Sequence, residues 1–191
     1  MKPLHQACRR FAHALFGDYG IYRIFVRDIG SSKPLALPAG LRVARVEKDA
    51  LANAGDQAIS ELAGYAGQDA WCFALLSEGM PVSACAFWAG ERYRARNFWP
   101  LREREAKLVQ INTATKYQGR GYAPMLIKGV EAEMDRHGFD RLYARVWHNN
   151  RPSITAFEKA NWVKIALAVE LFPFGRLKPL RYVWRHKESG S

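Results

Sequence analysis

Six residues, Gln118-Gly119-Arg120-Gly121-Tyr122-Ala123, have the composition of a phosphate cradle. Two glycines let the backbone turn sharply, so that several N–H groups can point at one spot. A helical period follows: Ala123, Leu126, Ile127, Val130 and Met134 fall on one face of a 3.6-residue repeat. Pro124 fits the first turn of that helix, where a missing N–H does no harm. A glycine turn entering a helix presents orphan N–H groups with the positive end of the helix dipole behind them, which suits phosphate or pyrophosphate. The preceding stretch, Lys107 to Thr113, alternates in polarity and is rich in β-branched residues, so it reads as a strand. The unit is therefore strand, glycine turn, helix. The dinucleotide fingerprint would need a third glycine, and the Walker pattern would need Gly-Lys-Ser/Thr; neither is present.

A second patterned segment follows another strand-like stretch, Arg141 to Trp147, which sets Leu142, Ala144 and Val146 on one face. It runs Asn150-Arg151-Pro152-Ser153-Ile154-Thr155-Ala156-Phe157-Glu158-Lys159-Ala160-Asn161-Trp162. Together the two segments resemble a pair of motifs of the GNAT superfamily of acyl-CoA-dependent N-acyltransferases. Gln118, Gly121 and Ala123 fill the three specified positions of its Arg/Gln-x-x-Gly-x-Gly/Ala motif. The later segment is similar to Asn-x-x-Ala/Ser-Ile-x-x-Tyr-Glu-Lys-x-Gly-Phe, with three departures. Asn161 replaces a helix-ending glycine, and Asn tolerates that left-handed position next best. Trp162 exchanges one aromatic for another. Phe157 stands where many relatives have a tyrosine thought to protonate the departing thiolate. The resemblance spans Leu41 to Arg185 and is strongest from Leu108 to Trp162.

The resemblance implies a mixed α/β (α+β) fold. Its central sheet, of about seven strands and mostly antiparallel, is flanked by helices and splayed between the family's fourth and fifth strands. It also implies acetyl-CoA as co-substrate, no metal, and direct attack of an amine on the thioester. By resemblance the Gln118–Ala123 loop, Tyr122 included, holds the pyrophosphate. Main chain near Ile111 and Thr113 holds the pantetheine amides, with Asn150, Ser153 and Phe157 across the arm. Three candidates stand out for acid–base work. His148 ends a strand near the split, and histidine is the residue type suited to proton transfer near neutrality. Glu105 precedes the motif strand on the acceptor side. Tyr143, with Tyr117 and Tyr122, is a phenol near the missing tyrosine.

These residues need a scaffold, and the 191-residue chain is long enough for one core plus an extension. Residues 1–40 read as an N-terminal extension packed on the core, 41–187 as the catalytic domain and 188–191 as a tail. Within the extension, Cys8 to Phe16 is helix-like and Ile21 to Val26 reads as an extra strand. Asp49 to Tyr65 reads as helical with Asp49 as cap, and Trp71–Leu76 with Val82–Trp88 as a hairpin. Gly90 to Glu105 reads as irregular, and Val163–Leu171 with Leu180–Trp184 as two last strands, joined by a loop over 172–179. No apolar run reaches the roughly 18 residues of a membrane span. The N-terminus lacks a secretory pattern. Three cysteines, an odd number, argue for a reducing cytoplasm rather than a disulfide framework.

The net charge of +11 sets the partners. Part of it suits coenzyme A. The remainder suits a phosphorylated small amine, and an amino-sugar nucleotide would place its phosphates on Arg92 to Arg104. Two other classes stay open: an acceptor on protein or RNA, and a non-catalytic CoA-binding module. A homodimer is compatible with the sequence but nothing in it specifies one.

Overall fold

The computed structural model describes residues 19–30, 32–95, 98–173 and 178–186. The helix expected over Cys8–Phe16, the tail 188–191 and part of the 172–179 loop lie outside the described residues. Eight strands form one sheet: β1 (Tyr19–Asp28), β2 (Leu41–Arg45), β3 (Ala70–Ser77), β4 (Met80–Trp88), β5 (Glu105–Thr113), β6 (Arg141–Trp147), β7 (Val163–Leu171) and β8 (Leu180–Arg185). Their spatial order is β2-β3-β4-β5-β6-β1-β7-β8. Every pairing is antiparallel except β5 with β6. The expected seven strands are thus present, plus the extra one.

That extra strand is not a surface addition. Tyr19–Asp28 lies inside the sheet, pairing β6 on one side and β7 on the other. Its alternation explains the position: Phe25 enters the main core, while Tyr22 and Ile24 enter a second cluster on the opposite face. A strand covered on both faces cannot be stripped away without opening the sheet.

Two longer helices cover one face. Helix α4 (Tyr122–Arg136) buries Leu126, Ile127, Val130 and Met134, the stripe its period foretold. Helix α5 (Arg151–Lys159) buries Ile154, Ala156 and Phe157. It ends as a Schellman motif: the Trp162 N–H donates to Phe157 O and the Asn161 N–H to Glu158 O, both at 3.0 Å, with Asn161 at φ 62°. The asparagine does what glycine does in the motif.

The other face is covered differently from expectation. Asp49–Tyr65 is not one helix. Gly55, at φ 72°, breaks it into α1 (Lys48–Ala52) and α2 (Gln57–Ser60), followed by a 3-10 turn over Glu61–Tyr65. Asp56 rather than Asp49 is the cap, its Oδ1 accepting from the N–H groups of Ala58 at 3.0 Å and Ile59 at 3.4 Å. Gly90–Arg94, expected as irregular, is the short helix α3. No described helix is long and apolar enough to cross a membrane.

Candidate active site

Strands β5 and β6 run parallel and pair only from Glu105 with Arg141 to Leu108 with Ala144. A register irregularity on β5 puts Val109 out of step with β4. Beyond it β5 follows β4 to Thr113, while β6 follows β1 to Trp147. The two strands therefore part, and the gap is the centre of the site. A cavity of about 860 Å³ lies at its mouth, lined by Ile111, Thr113, Gly119, Gly121, Asn150 and Phe157 among others. A second, of about 330 Å³, shares Ile111, Asn150, Ser153 and Phe157 with it and reaches Lys107, Arg145 and Trp147.

The glycine loop forms the wall of the larger cavity. Gly119 and Gly121 adopt φ 77° and 78°. A Cβ at either position would touch nothing, so the glycines serve the left-handed backbone rather than a tight fit. Gly121 is the N-cap of α4 and no side chain caps that end. Its first-turn N–H groups are thus free to meet an anion. Arg151 and Lys159 line the same cavity, and an adjoining hollow of about 390 Å³ adds Lys128 beside Leu35–Pro38. Gln118 Nε2 donates to Thr113 O at 3.3 Å, bracing the loop against β5. Across the gap, Asn150 Oδ1 accepts from Ser153 N–H at 3.2 Å and caps α5. Phe157 is buried below, its ring 5.5 Å from Phe25 and 5.0 Å from Trp162.

The sequence matches the acetyltransferase (GNAT) family over residues 47–162, more than half of the chain. The protein belongs to the GNAT acetyltransferase family. No curated protein sequence matches the chain. Among solved structures, the fold is similar to a GNAT-family acetyltransferase from Colwellia psychrerythraea (TM-score 0.57, 14% identical, 89% of this chain and 61% of that one). It is also similar to a GCN5-related N-acetyltransferase from Kribbella flavida (TM-score 0.52, 13% identical, 95% and 63%). A tandem GNAT protein from the clavulanic acid biosynthesis pathway aligns with a TM-score of 0.54, 14% identity and coverage of 97% and 57%. At such identities the likeness is one of fold, and the chain spans less than two thirds of each of these structures.

Within this GNAT frame, ten of the residues expected around the cofactor line the large cavity: Ile111, Thr113, Gln118, Gly119, Gly121, Tyr122, Ala123, Asn150, Ser153 and Phe157. Arg120 does not; its guanidinium lies over the Tyr117 ring, 5.3 Å from the centroid. The three acid–base candidates are not brought together at the gap. Glu105 and Tyr143 line a separate cavity of about 340 Å³, with Arg102, Arg141 and Arg185. They face each other instead, the Tyr143 hydroxyl donating to Glu105 Oε1 at 3.3 Å, while Glu105 Oε2 accepts from Arg102 N–H at 2.8 Å. Burial pushes the Tyr143 phenol above its ordinary value, with Arg141 pulling the other way. His148 follows Trp147 at the gap but turns to β1, its backbone N–H on Ile21 O at 2.9 Å and its Nδ1 3.3 Å from the same carbonyl. None of the three lines either cavity at the gap.

Sequence reasoning passed over Glu61, Gln110, Lys107, Arg145 and Trp147. Glu61 is the one carboxylate among the described residues lining the large cavity, and its Oε1 accepts from Gln57 Nε2 at 3.3 Å. It arrives from the far side of the sheet, and no local pattern marks it. For Arg145 and Trp147 a signal existed: with Tyr143 they alternate on one face of β6, away from Leu142, Ala144 and Val146. Of the arginines expected to meet phosphates, Arg102 lines the cavity around Glu105 and Arg141, and three others have protein partners. Arg92 donates to Ala66 O at 3.1 Å and lies over Trp88, Arg94 pairs with Glu91 at 2.9 Å, and Arg104 pairs with Asp140 at 2.7 Å. Arg96 lies outside the described residues.

Proposed function

We propose that this protein transfers an acetyl group from acetyl-CoA to the primary amine of a small molecule by direct attack. The observation that carries the reading is the pair of adjoining cavities at the β5–β6 gap. They join an uncapped helix N-terminus on one face of the sheet to a polar pocket on the other. The residues fit the co-substrate. The N–H groups of the Gln118–Ala123 loop, with Arg151 and Lys159, would hold the pyrophosphate, and main chain at Ile111–Thr113 with Ser153 would hold the pantetheine arm. Acetyl-CoA supplies the activated acyl group.

Strand N–H groups freed where β5 leaves β6 can stabilise the oxyanion that develops on the carbonyl, often the largest electrostatic contribution to acyl transfer. The acceptor nitrogen forms the N–C bond as the C–S bond breaks. Glu61 takes the proton the nitrogen sheds, directly or through one water. Phe157 has no proton to give. Tyr117 and Tyr122 are the phenols at the cavity, and an ordinary thiol with a pKa near 8.5 leaves readily enough to take its proton from solvent. Holding both reactants in one cavity can contribute roughly 7–11 kcal/mol by proximity, so a sparse acid–base apparatus suffices.

The test is thiol release from acetyl-CoA across a panel of small amines. Glu61→Gln should lower kcat by about 10²–10⁴-fold with acetyl-CoA affinity retained. An unchanged kcat would remove Glu61 as the base. Acetyl-CoA binding without thiol release for any amine would sink the transferase reading.

A further inference from the structure

We infer that the acceptor carries an anionic group, a carboxylate or a phosphate, and that Arg145 receives it on the sheet face opposite α4. The inference rests on the acetyl-transfer reading and names its substrate class. Lys107 is the register partner of Tyr143, and Arg145 lies two residues further along the same face of β6. Among the described residues, Arg145 lies 4.2 Å from the Phe98 ring centroid, Arg181 4.4 Å and Lys107 5.6 Å. One carboxylate, Glu170, stands among them. Its Oε1 accepts from Arg181 Nε at 2.9 Å and Nη2 at 2.6 Å, and its Oε2 makes a longer ion pair with Arg145 Nη1 at 3.9 Å. The next carboxylate, Glu105, already accepts from Tyr143 and from Arg102 N–H and has Arg141 at 4.0 Å. Among the described residues Arg145 and Arg181 thus share one carboxylate, and Arg145 faces the smaller cavity. Arg145 lines that cavity, and among the described residues no Asp or Glu does.

Arg145 is built to present its charge. Its guanidinium lies over Phe98 on one side and over Tyr22, at 4.5 Å, on another. Stacking of this kind fixes the plane of the fork, which matches carboxylate and phosphate oxygens in pairs. Its side chain is 34% exposed, so an anion reaching it meets a charge only partly screened by water. The cavity holds about 330 Å³, room for a small metabolite. It also reaches Ile111, Asn150 and Ser153, the residues proposed for the pantetheine arm. An acceptor anchored at Arg145 by its anion thus has its amine directed toward the gap.

The experiment uses full-length protein saturated with acetyl-CoA, so that the glycine loop is filled. Phenylglyoxal modification of each arginine is followed by peptide mass spectrometry in chloride, inorganic phosphate or acetate at equal ionic strength. Phosphate or acetate should slow modification of Arg145 at least several-fold while exposed Arg42 is unaffected, and whichever anion protects better identifies the group. Equal rates in all three salts would overturn the inference. Matched acceptors supply the second arm: glucosamine against glucosamine 6-phosphate, and tyramine against tyrosine. The anionic member should have the higher kcat/KM by tenfold or more. Arg145→Gln should erase that ratio, Arg145→Lys should keep part of it, and neither should change acetyl-CoA affinity. A preference for neutral amines, or one that survives Arg145→Gln, would equally refute it. Failure of acetyl-CoA to bind would instead strike the transferase reading, since anion protection of Arg145 can be measured without it.

Discussion

The two sides of the split sheet are made in opposite ways. On the α4 side, the recognition we propose comes from backbone: consecutive residues from Gln118 to Ala123, an uncapped helix end and the free edges of parting strands. On the opposite side it comes from side chains gathered across the chain, Tyr22 from β1, Phe98 and Trp99 from the loop before β5, Arg145 from β6 and Glu170 from β7. A backbone site is encoded by a short run of residues that must turn a certain way. A side-chain cluster exists only once the sheet is assembled. Changes on the first side should therefore disable the cofactor alone, and changes on the second should alter the acceptor alone.

The largest effect should come from Phe157, because it belongs to both sides. Its ring lines both cavities and is stacked in the core against Phe25 and Trp162. Phe157→Ala should remove about 3–5 kcal/mol of stability, a fall in Tm of roughly 6–20 °C, and weaken acetyl-CoA and acceptor together. A variant that lost one and kept the other would show that the two sides do not share this wall.

Gly121→Asp comes next and acts on one side only. A side chain at φ 78° is strained, and a carboxylate at the helix N-terminus occupies the site meant for phosphate. At a hundredfold excess over Kd, acetyl-CoA should raise the stability of the wild type by about 2.7 kcal/mol and that of the variant not at all. A thermal shift retained in Gly121→Asp would mean the loop is not the cofactor site.

Tyr93→Phe should be smaller and fall on the acceptor side. The Tyr93 hydroxyl donates to Trp99 O at 2.8 Å and accepts from Trp99 N–H at 2.9 Å, pinning the segment that carries Phe98. Its loss strands two buried backbone groups at about 1–3 kcal/mol. The acceptor KM should rise while acetyl-CoA affinity holds; movement of both would blur the division.

That division also explains what could be read from sequence. The glycine turn, the α4 stripe, the Asn161 helix end and strands β6 and β7 were legible because each is decided by residues within a few positions of one another. The break at Gly55 was missed because the apolar pattern continues across it. The candidacy of Glu105 for acid–base work rested on resemblance and that of Tyr143 and His148 on closeness in sequence; Glu105 and Tyr143 face each other in a separate cavity, and the His148 ring turns to Ile21 O. Glu61 and Arg145 gain their meaning from β5 and Phe98, which no local window contains. That β1 would enter the sheet interior was equally hidden, because Tyr19–Asp28 looks the same at an edge.

The smallest effect probes how the two sides are joined. Glu131 on α4 is buried and pairs with Arg27 on β1 at 3.2 Å, linking the cofactor helix to an interior strand. Burial pushes its carboxyl above the ordinary value of 4.5, and Arg27 only partly opposes this. An acid whose native pKa is raised binds its proton more tightly folded than unfolded. Its ionisation therefore works against the fold, beginning as pH rises past 4.5 and complete above the raised native value. Glu131→Gln removes that titration. Urea melts from pH 4 to 8 should show the variant gaining on the wild type across this window and running parallel to it above. If the wild type gained instead, the Arg27 pair would outweigh burial, and the link between the two sides would be an attraction rather than a tolerated charge.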